Sequence, residues 1–269
     1  MDALSGTKVF GESFPGFVSI SYADLLARVI ARATTQSDHI AIAPGGSMTA
    51  FDPTNGAGAW SLTRAQAKAL GHIPDDMKDD GGTTFGAGNP FTFSGPIAPG
   101  TYDFQGIAAH EISEVMGRIG LSRAGDPTSK SVSLIDNFSY TGSGTKSLRG
   151  GAGNFFSIDN GTTLLKLWND QTANMLDSRD WAGGSNDAFN QFSDSGVVNP
   201  VSDVDLQLLD VIGYELGTIP GQLLSYGDAG TPGNVSDPVV VGFGGWADFK
   251  FLFAGRDQSG QDRIYAVVP

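Results

Sequence analysis

The chain has no cysteine, so disulfide bonds and thiolate metal ligands are excluded. It has only three histidines, which gives a Ser-His-Asp triad little support. Cations are scarce as well, because 16 Lys and Arg stand against 29 Asp and Glu, for a formal net charge of −13. Such a charge argues against nucleic acids and anionic membrane surfaces as partners.

Long hydrophobic runs are also missing, and none approaches the roughly 18–20 apolar residues that a membrane helix requires. The stretch from Met1 to Gly6 lacks the basic start and apolar segment of a signal peptide. Glycine, in contrast, is abundant, with 38 residues. An acidic, glycine-rich chain without cysteine is typical of exported bacterial proteins. We therefore expect a secreted protein that is exported by another signal or by a segment outside the given sequence.

The local patterns predict an α+β fold. Four helices are expected from capping residues followed by apolar periodicity, after Ser21, Thr63, Asp103 and Ser202. Strands are expected at 16–20, at 132–140 and on both sides of Asp159-Asn160-Gly161, where Asn-Gly accepts the positive φ of a hairpin turn. With 40% hydrophobic residues, the chain can form one large domain and a small module. The expected division is a domain at 1–215, a linker at 216–237 and a short all-β segment at 238–269.

The most informative stretch is Ala109-His110-Glu111-Ile112-Ser113-Glu114-Val115-Met116-Gly117. Since a helix advances about 100° per residue, Glu114 lies about 40° from His110 and Glu111 about 100° from it. The opposite face carries apolar residues such as Ile112 and is expected to pack on the core. His110 and Glu114 are therefore candidate metal ligands, and Glu111 is the candidate general base that takes a proton from a metal-activated water.

This stretch resembles the active-site helix of zincin metallopeptidases, and most closely their metzincin-like branch. His110 matches the first zinc ligand, Glu111 the general base and Gly117 the turn glycine, whereas Glu114 and Gly120 stand where the family has histidines. Similarity to predicted secreted bacterial proteins of this type extends over roughly residues 15–215. The resemblance implies a zincin-like domain with its active-site helix against a mixed sheet. It also implies Zn²⁺ as the cofactor and hydrolysis of peptide bonds in a protein or peptide substrate.

Gly120 has no side chain for coordination, so a third ligand must come from elsewhere. Candidates are His72, Asp126, Asp136 or a carboxylate from residues 176–187, and the sequence does not select among them. Met175 is a candidate for the methionine beneath a metzincin site. A separate Ca²⁺ site is conceivable at the acidic residues Asp177, Asp180 and Asp187, because Ca²⁺ prefers oxygen ligands.

The C-terminal segment contains Gly244-Gly245-Trp246, then Phe249-Lys250-Phe251-Leu252-Phe253 and finally Tyr265-Ala266-Val267. It resembles one blade of the tachylectin-type β-propeller lectins, which implies glycans as partners. One blade cannot close a propeller ring, so it must dock on the main domain, pair with other chains or be the start of a longer propeller. The alternative to a zinc peptidase is therefore an inactive zincin-like scaffold that binds glycans or surfaces.

Overall fold

The computed structural model describes residues 10–49, 59–86, 88–121, 131–148, 150–170, 177, 179–216, 251–256 and 262–268. This part of the chain has the predicted α+β fold. Its α-helices are α1 (Tyr22–Arg32), α2 (Gln36–Ile42), α3 (Arg64–Ala69), α4 (Phe104–Val115) and α5 (Asp203–Val211). Its first strands are β1 (Gly11–Pro15), β2 (Phe17–Ile20), β3 (Ala59–Thr63), β4 (Gly81–Phe85), β5 (Phe91–Thr92), β6 (Tyr102–Asp103) and β7 (Ser131–Ser133). The later strands are β8 (Ser139–Gly142), β9 (Thr145–Lys146), β10 (Phe155–Phe156), β11 (Lys166–Leu167), β12 (Glu215–Leu216), β13 (Phe251–Arg256) and β14 (Asp262–Val268).

All four predicted capping residues occupy helix N-termini. The Ser21 and Thr63 hydroxyls accept hydrogen bonds from the backbone N–H groups of Asp24 and Gln66, at 3.1 and 3.2 Å. Asp103 caps α4 in the same way. Ser202 forms a reciprocal capping box at α5. These bonds satisfy donors that the first turn of a helix otherwise leaves without partners.

A mixed three-stranded sheet lies at the centre, with β3 between antiparallel β2 and parallel β7. Trp60 and Leu62 on β3 are fully buried, and they join a core that also includes Leu25 of α1, Met116 after α4 and Leu208 of α5. The core therefore fixes the C-terminal end of α4 against the sheet. No helix in the described ranges is long and apolar enough to span a membrane.

The strand predicted at 132–140 is wrong in its middle, because Leu134–Phe138 form a 3₁₀-helix between β7 and β8. Asp136 causes the turn, since its Oδ2 accepts from the backbone N–H and the hydroxyl of Ser133 at 2.9 and 2.7 Å. Such local side-chain bonds compete with the pairing of an extended strand.

The hairpin predicted around Asp159-Asn160-Gly161 is confirmed. Strands β10 and β11 pair antiparallel on either side of it, and Asn160 and Gly161 have φ values of 58° and 78°. Only Gly fits at position 161, because a Cβ there would lie 2.5 Å from the carbonyl oxygen of Gly142.

Strands β13 and β14 pair antiparallel, and β14 also pairs with β12, which follows α5 in the chain. Glu215 and Leu216 lie opposite Val268 and Val267 in this register. A strand from the region before residue 217 thus joins the sheet of the C-terminal strands. Residues 217–250, which include Trp246, lie outside the described part, and the lectin-blade interpretation stays a prediction.

Candidate metal centre

Helix α4 is held at both ends by close contacts. At its start, Asp103 accepts hydrogen bonds from the backbone N–H groups of Gln105 and Asn199, at 3.2 and 2.9 Å. Just past its end, Gly117 has a φ of 115°, and a Cβ there would lie 2.9 Å from the side chain of Gln66. The absence of a side chain at Gly117 therefore allows the close approach of α3.

His110 is oriented by a hydrogen bond between its Nδ1 and the carbonyl oxygen of Ala188, at 3.0 Å. Because a carbonyl only accepts, this bond places the proton on Nδ1. Its Nε2 then faces two carboxylates, with Glu114 Oε1 at 3.4 Å and Asp180 Oδ1 at 3.5 Å. This is the arrangement typical of a metal-binding histidine, whose second nitrogen is held by a neighbouring acceptor.

Asp180 is thus the third member of the group, from the range 176–187 that the sequence had left open. It is positioned by its neighbour Trp181, which is fully buried, stacks on Trp168 at 4.3 Å and donates from Nε1 to Asp205 at 2.6 Å. In the sequence, the available indication that Asp180 is the third ligand was its position directly before Trp181, an apolar residue expected in the core. Without the fold, however, nothing indicated that this side chain reaches α4.

The other third-ligand candidates lie elsewhere or outside the described residues. His72 Nδ1 lies 3.2 Å from Asp24, and Asp136 pairs with Arg179 at 2.7 Å. Asp126 and Met175 fall in ranges that the structure does not describe. The proposed Ca²⁺ trio is not brought together either, because Asp180 joins His110 whereas Asp187 pairs with Lys166.

Two of the three distances between the ligand atoms fit a small tetrahedral cation. Zn²⁺ binds nitrogen and oxygen ligands at about 2.0–2.2 Å, so neighbouring corners of its tetrahedron lie about 3.4 Å apart. The two distances from His110 Nε2, 3.4 and 3.5 Å, match that edge. All three ligand atoms lie within 4.8 Å of one another. His110, Glu114 and Asp180 can therefore hold a metal ion.

Strand β1 covers this side of α4, so the helix is less two-faced than its sequence predicts. Ser13 donates to Glu114 Oε2 at 2.5 Å, and a Cβ on Gly11 would lie 2.5 Å from Glu111 Oε1. Glu111 and Glu114 are consequently 7% and 5% exposed, whereas Ile112 on the predicted core face is only half-buried. Gly11 is the residue whose small size leaves room for Glu111.

The buried charges shift one another's protonation. Burial and Arg118 disfavour the charged form of His110, but Asp180 and Glu114 outweigh them and raise its pKa to about 9. Burial raises the pKa of Glu111 to about 7. For Glu114, burial is outweighed by His110 and Arg118, and its pKa is lowered. Burial raises the pKa of Asp180. Opposite shifts of neighbouring carboxylates are common at functional sites.

Arg118 is the site residue that sequence reasoning missed. It is 1% exposed, and its Nη1 donates to Asp180 Oδ1 at 2.6 Å and to the carbonyl oxygen of Arg179 at 3.1 Å. Its Nη2 donates to Glu114 Oε1 at 3.5 Å, and its Nε donates to the hydroxyl of Ser113 at 2.7 Å. The spacing of four residues between Glu114 and Arg118 was visible in the sequence, but such pairs are ordinary on helices.

An aromatic surface begins where β1 meets α4. Phe104 in the first turn of α4 contacts three other rings, with centroids 4.7–5.4 Å apart. Phe10 continues the cluster to Tyr102 at 4.2 Å. None of its six rings is fully buried: Phe10, Phe85, Phe91, Phe93, Tyr102 and Phe104. Phe85 pairs with Gly11 in the β1–β4 register, and Gly11 is the residue beside Glu111. The aromatic surface is therefore next to the strand that covers Glu111.

Comparison with protein-family models, with curated proteins and with solved structures finds no match to this chain.

Proposed function

We propose that this protein is a metal-dependent hydrolase of the zinc peptidase type. In this proposal His110, Glu114 and Asp180 hold Zn²⁺, and Glu111 is the general base. The observation that carries it is the arrangement of His110, whose Nδ1 is fixed on a carbonyl oxygen while its Nε2 faces two carboxylate oxygens at 3.4 and 3.5 Å. When bound, a zinc ion would polarise the substrate carbonyl and lower the pKa of the attacking water.

Glu111 suits the role of proton acceptor. It follows His110 directly on α4, and burial raises its pKa to about 7, near the pH at which a general base is most effective. Its side chain occupies the space that a Cβ on Gly11 would fill. A carboxylate that is held in place and only weakly acidic can take a proton from water and pass it to a leaving amine.

The aromatic surface supports a peptide substrate. It lies at the start of α4 and beside Gly11, the first residue of β1, which pairs with Phe85. Partly exposed aromatic rings favour contact with apolar side chains, since burial of such surface stabilises a complex by about 25 cal/mol per Å². The proposed substrate is accordingly a peptide with apolar or aromatic residues beside the scissile bond.

A second candidate is a scaffold without catalysis, in which the tail binds glycans or a surface. The favouring observation is the ion pair between Arg118 and Asp180, at 2.6 Å. With His110 also charged, two cations would balance Glu114 and Asp180 without any metal. Removal of residues 238–269 should then abolish binding on a glycan array, and identical profiles with and without the tail would contradict this candidate.

Metal analysis of protein purified without added metal tests the enzymatic proposal. We expect close to one zinc per chain, a melting temperature that rises on addition of Zn²⁺, and peptide hydrolysis that a chelator stops. Asp180→Asn should lose the metal. Lys68→Gln, which changes a buried cation paired with Asp76 and Asp80, should retain it. A metal-free wild type whose melting temperature ignores Zn²⁺ would refute the proposal.

A further inference from the structure

Arg118 is placed differently from an arginine that only stabilises a fold. Its two terminal nitrogens divide between Glu114 and Asp180, the two carboxylates that also face His110 Nε2. Nη2 also donates to the carbonyl oxygen of His110, at 3.4 Å. One guanidinium therefore contacts all three residues of the candidate metal group. Because its fork is planar, it fixes their carboxylates in a single relative geometry.

The charges explain why an arginine is needed at this position. Zinc hydrolase sites built of two histidines and one carboxylate carry a ligand charge of −1. Here Glu114 takes the place of a histidine, so neutral His110 with Glu114 and Asp180 carries −2. Arg118 brings the buried group back to −1. Glu114 in place of a histidine adds one negative charge, and Arg118, four residues later on the chain, offsets it.

We infer that Arg118 is a positioning residue that holds the two carboxylates of the centre and offsets the extra negative charge of a glutamate as second ligand. This inference rests on the proposed metal-binding function. Arg118 holds Glu114 and Asp180 in place before the metal arrives, and its positive charge limits how strongly they attract a cation. A purely structural arginine would provide only the first of these effects.

Two substitutions of Arg118 separate charge from geometry. Arg118→Lys and Arg118→Gln both remove the planar fork, but only Lys retains the positive charge. The affinity for Zn²⁺ is measured at one pH by competition with a chromophoric chelator. We expect Arg118→Gln to bind Zn²⁺ roughly tenfold or more tightly than Arg118→Lys, because a buried cation repels the metal through a low dielectric.

A structural role predicts the reverse order, since Lys is the more conservative replacement. Equal affinities of the two variants, or tighter binding by Arg118→Lys, would overturn the inference. The matched control is Lys68→Gln, which removes a buried cation whose carboxylate partners lie outside the metal group. Its affinity should stay within about twofold of wild type, since its charge is remote and screened by its own partners.

A second comparison is made between two proteins that both carry Glu114→His, so it does not depend on the stability of the Arg118 single variants. Glu114→His restores the two-histidine pattern but leaves Arg118 without its second carboxylate, and the charge of the whole group becomes 0. It should bind Zn²⁺ about tenfold more weakly than the double variant Glu114→His with Arg118→Gln, in which the charge of the whole group is −1. Equal affinities of these two proteins would also overturn the inference. Failure of wild type to bind Zn²⁺ would instead refute the metal centre itself.

Discussion

Two buried arginine–carboxylate groups in the described part of the chain, at Arg118 and at Arg179, differ in what they can do. Arg179 contacts Asp136 Oδ1 at 2.7–2.8 Å, and Asp136 Oδ2 is occupied by Ser133. One cation meets one carboxylate there, and hydrogen bonds complete the pair. Arg118 instead meets Glu114 and Asp180 beside a histidine. The comparison shows that an excess of buried carboxylate oxygens, rather than burial alone, distinguishes a metal-capable group from a structural ion pair.

The largest expected effect is on turnover and comes from Glu111→Gln. The amide keeps the shape of the side chain but cannot accept the proton, so the rate of peptide hydrolysis should fall by about 10²–10⁴-fold. Zinc content should stay at the wild-type level, because Glu111 is not among the three ligands. An active Glu111→Gln enzyme would show that another group is the base. Loss of zinc in this variant would place Glu111 among the ligands.

Loss of the Asp136–Arg179 ion pair should lower the stability of the protein without changing its response to Zn²⁺. Asp136→Ala leaves Arg179 buried without its carboxylate, and the free energy of unfolding should fall by about 3–5 kcal/mol. Chemical denaturation of the metal-free protein measures this loss. The rise in melting temperature on addition of Zn²⁺ should be the same as in wild type. A smaller zinc-induced rise would mean that the two groups are coupled through the Arg179–Asp180 backbone.

Ser13 offers a milder change on the metal side of the comparison. Ser13→Ala removes the hydroxyl that donates to Glu114 Oε2, and loss of such a supporting bond typically weakens a metal site by about tenfold or more. Chelator competition measures the affinity. Thr92→Ala is a suitable control, because it removes a hydroxyl bonded to Thr101, outside the group. Equal affinities of both variants and wild type would show that β1 does not orient the ligand.

The sequence predicted the local parts of the site and missed the parts that depend on tertiary structure. The cap at Asp103, the shared face of His110 and Glu114 and the turn at Gly117 all follow from the geometry of one helix. Asp180 lies 70 residues after His110. The stacking of Trp181 on Trp168 and the hydrogen bonds from Arg118 to Arg179 and Asp180 hold it against α4.

The hydrophobic periodicity of α4 also did not predict that the site is buried. The apolar stripe of α4 indicates one face toward the core, and it says nothing about a cover on the other face. That cover is β1, where Gly11 and Ser13 alternate toward the helix. A Gly and a Ser carry no hydrophobic signal, so a search for apolar strands overlooks them. Arg118 was missed for the same reason. Its charged side chain predicts a position at the surface, but the side chain is buried.

The smallest expected effect is the release of protons when Zn²⁺ binds. The number of protons released tests the charge state of the metal-free group. Without metal, His110 has a pKa raised to about 9, above its ordinary value of 6.5, so it is charged at neutral pH. Zn²⁺ binds only the neutral imidazole, so binding must release this proton at any pH below about 9. The affinity should then rise by about tenfold per pH unit as the pH approaches 9 from below.

Calorimetry at pH 8 in two buffers of different ionisation enthalpy gives the number of protons released. This pH lies above the pKa of Glu111, which burial raises to about 7, so most of that side chain is already ionised. We expect close to one proton per zinc. The Arg179–Asp136 pair contains no histidine, and Asp136→Ala should leave the count unchanged. A count near zero would mean that His110 is neutral before the metal binds, and Arg118 would then be the cation that keeps Glu114 and Asp180 together.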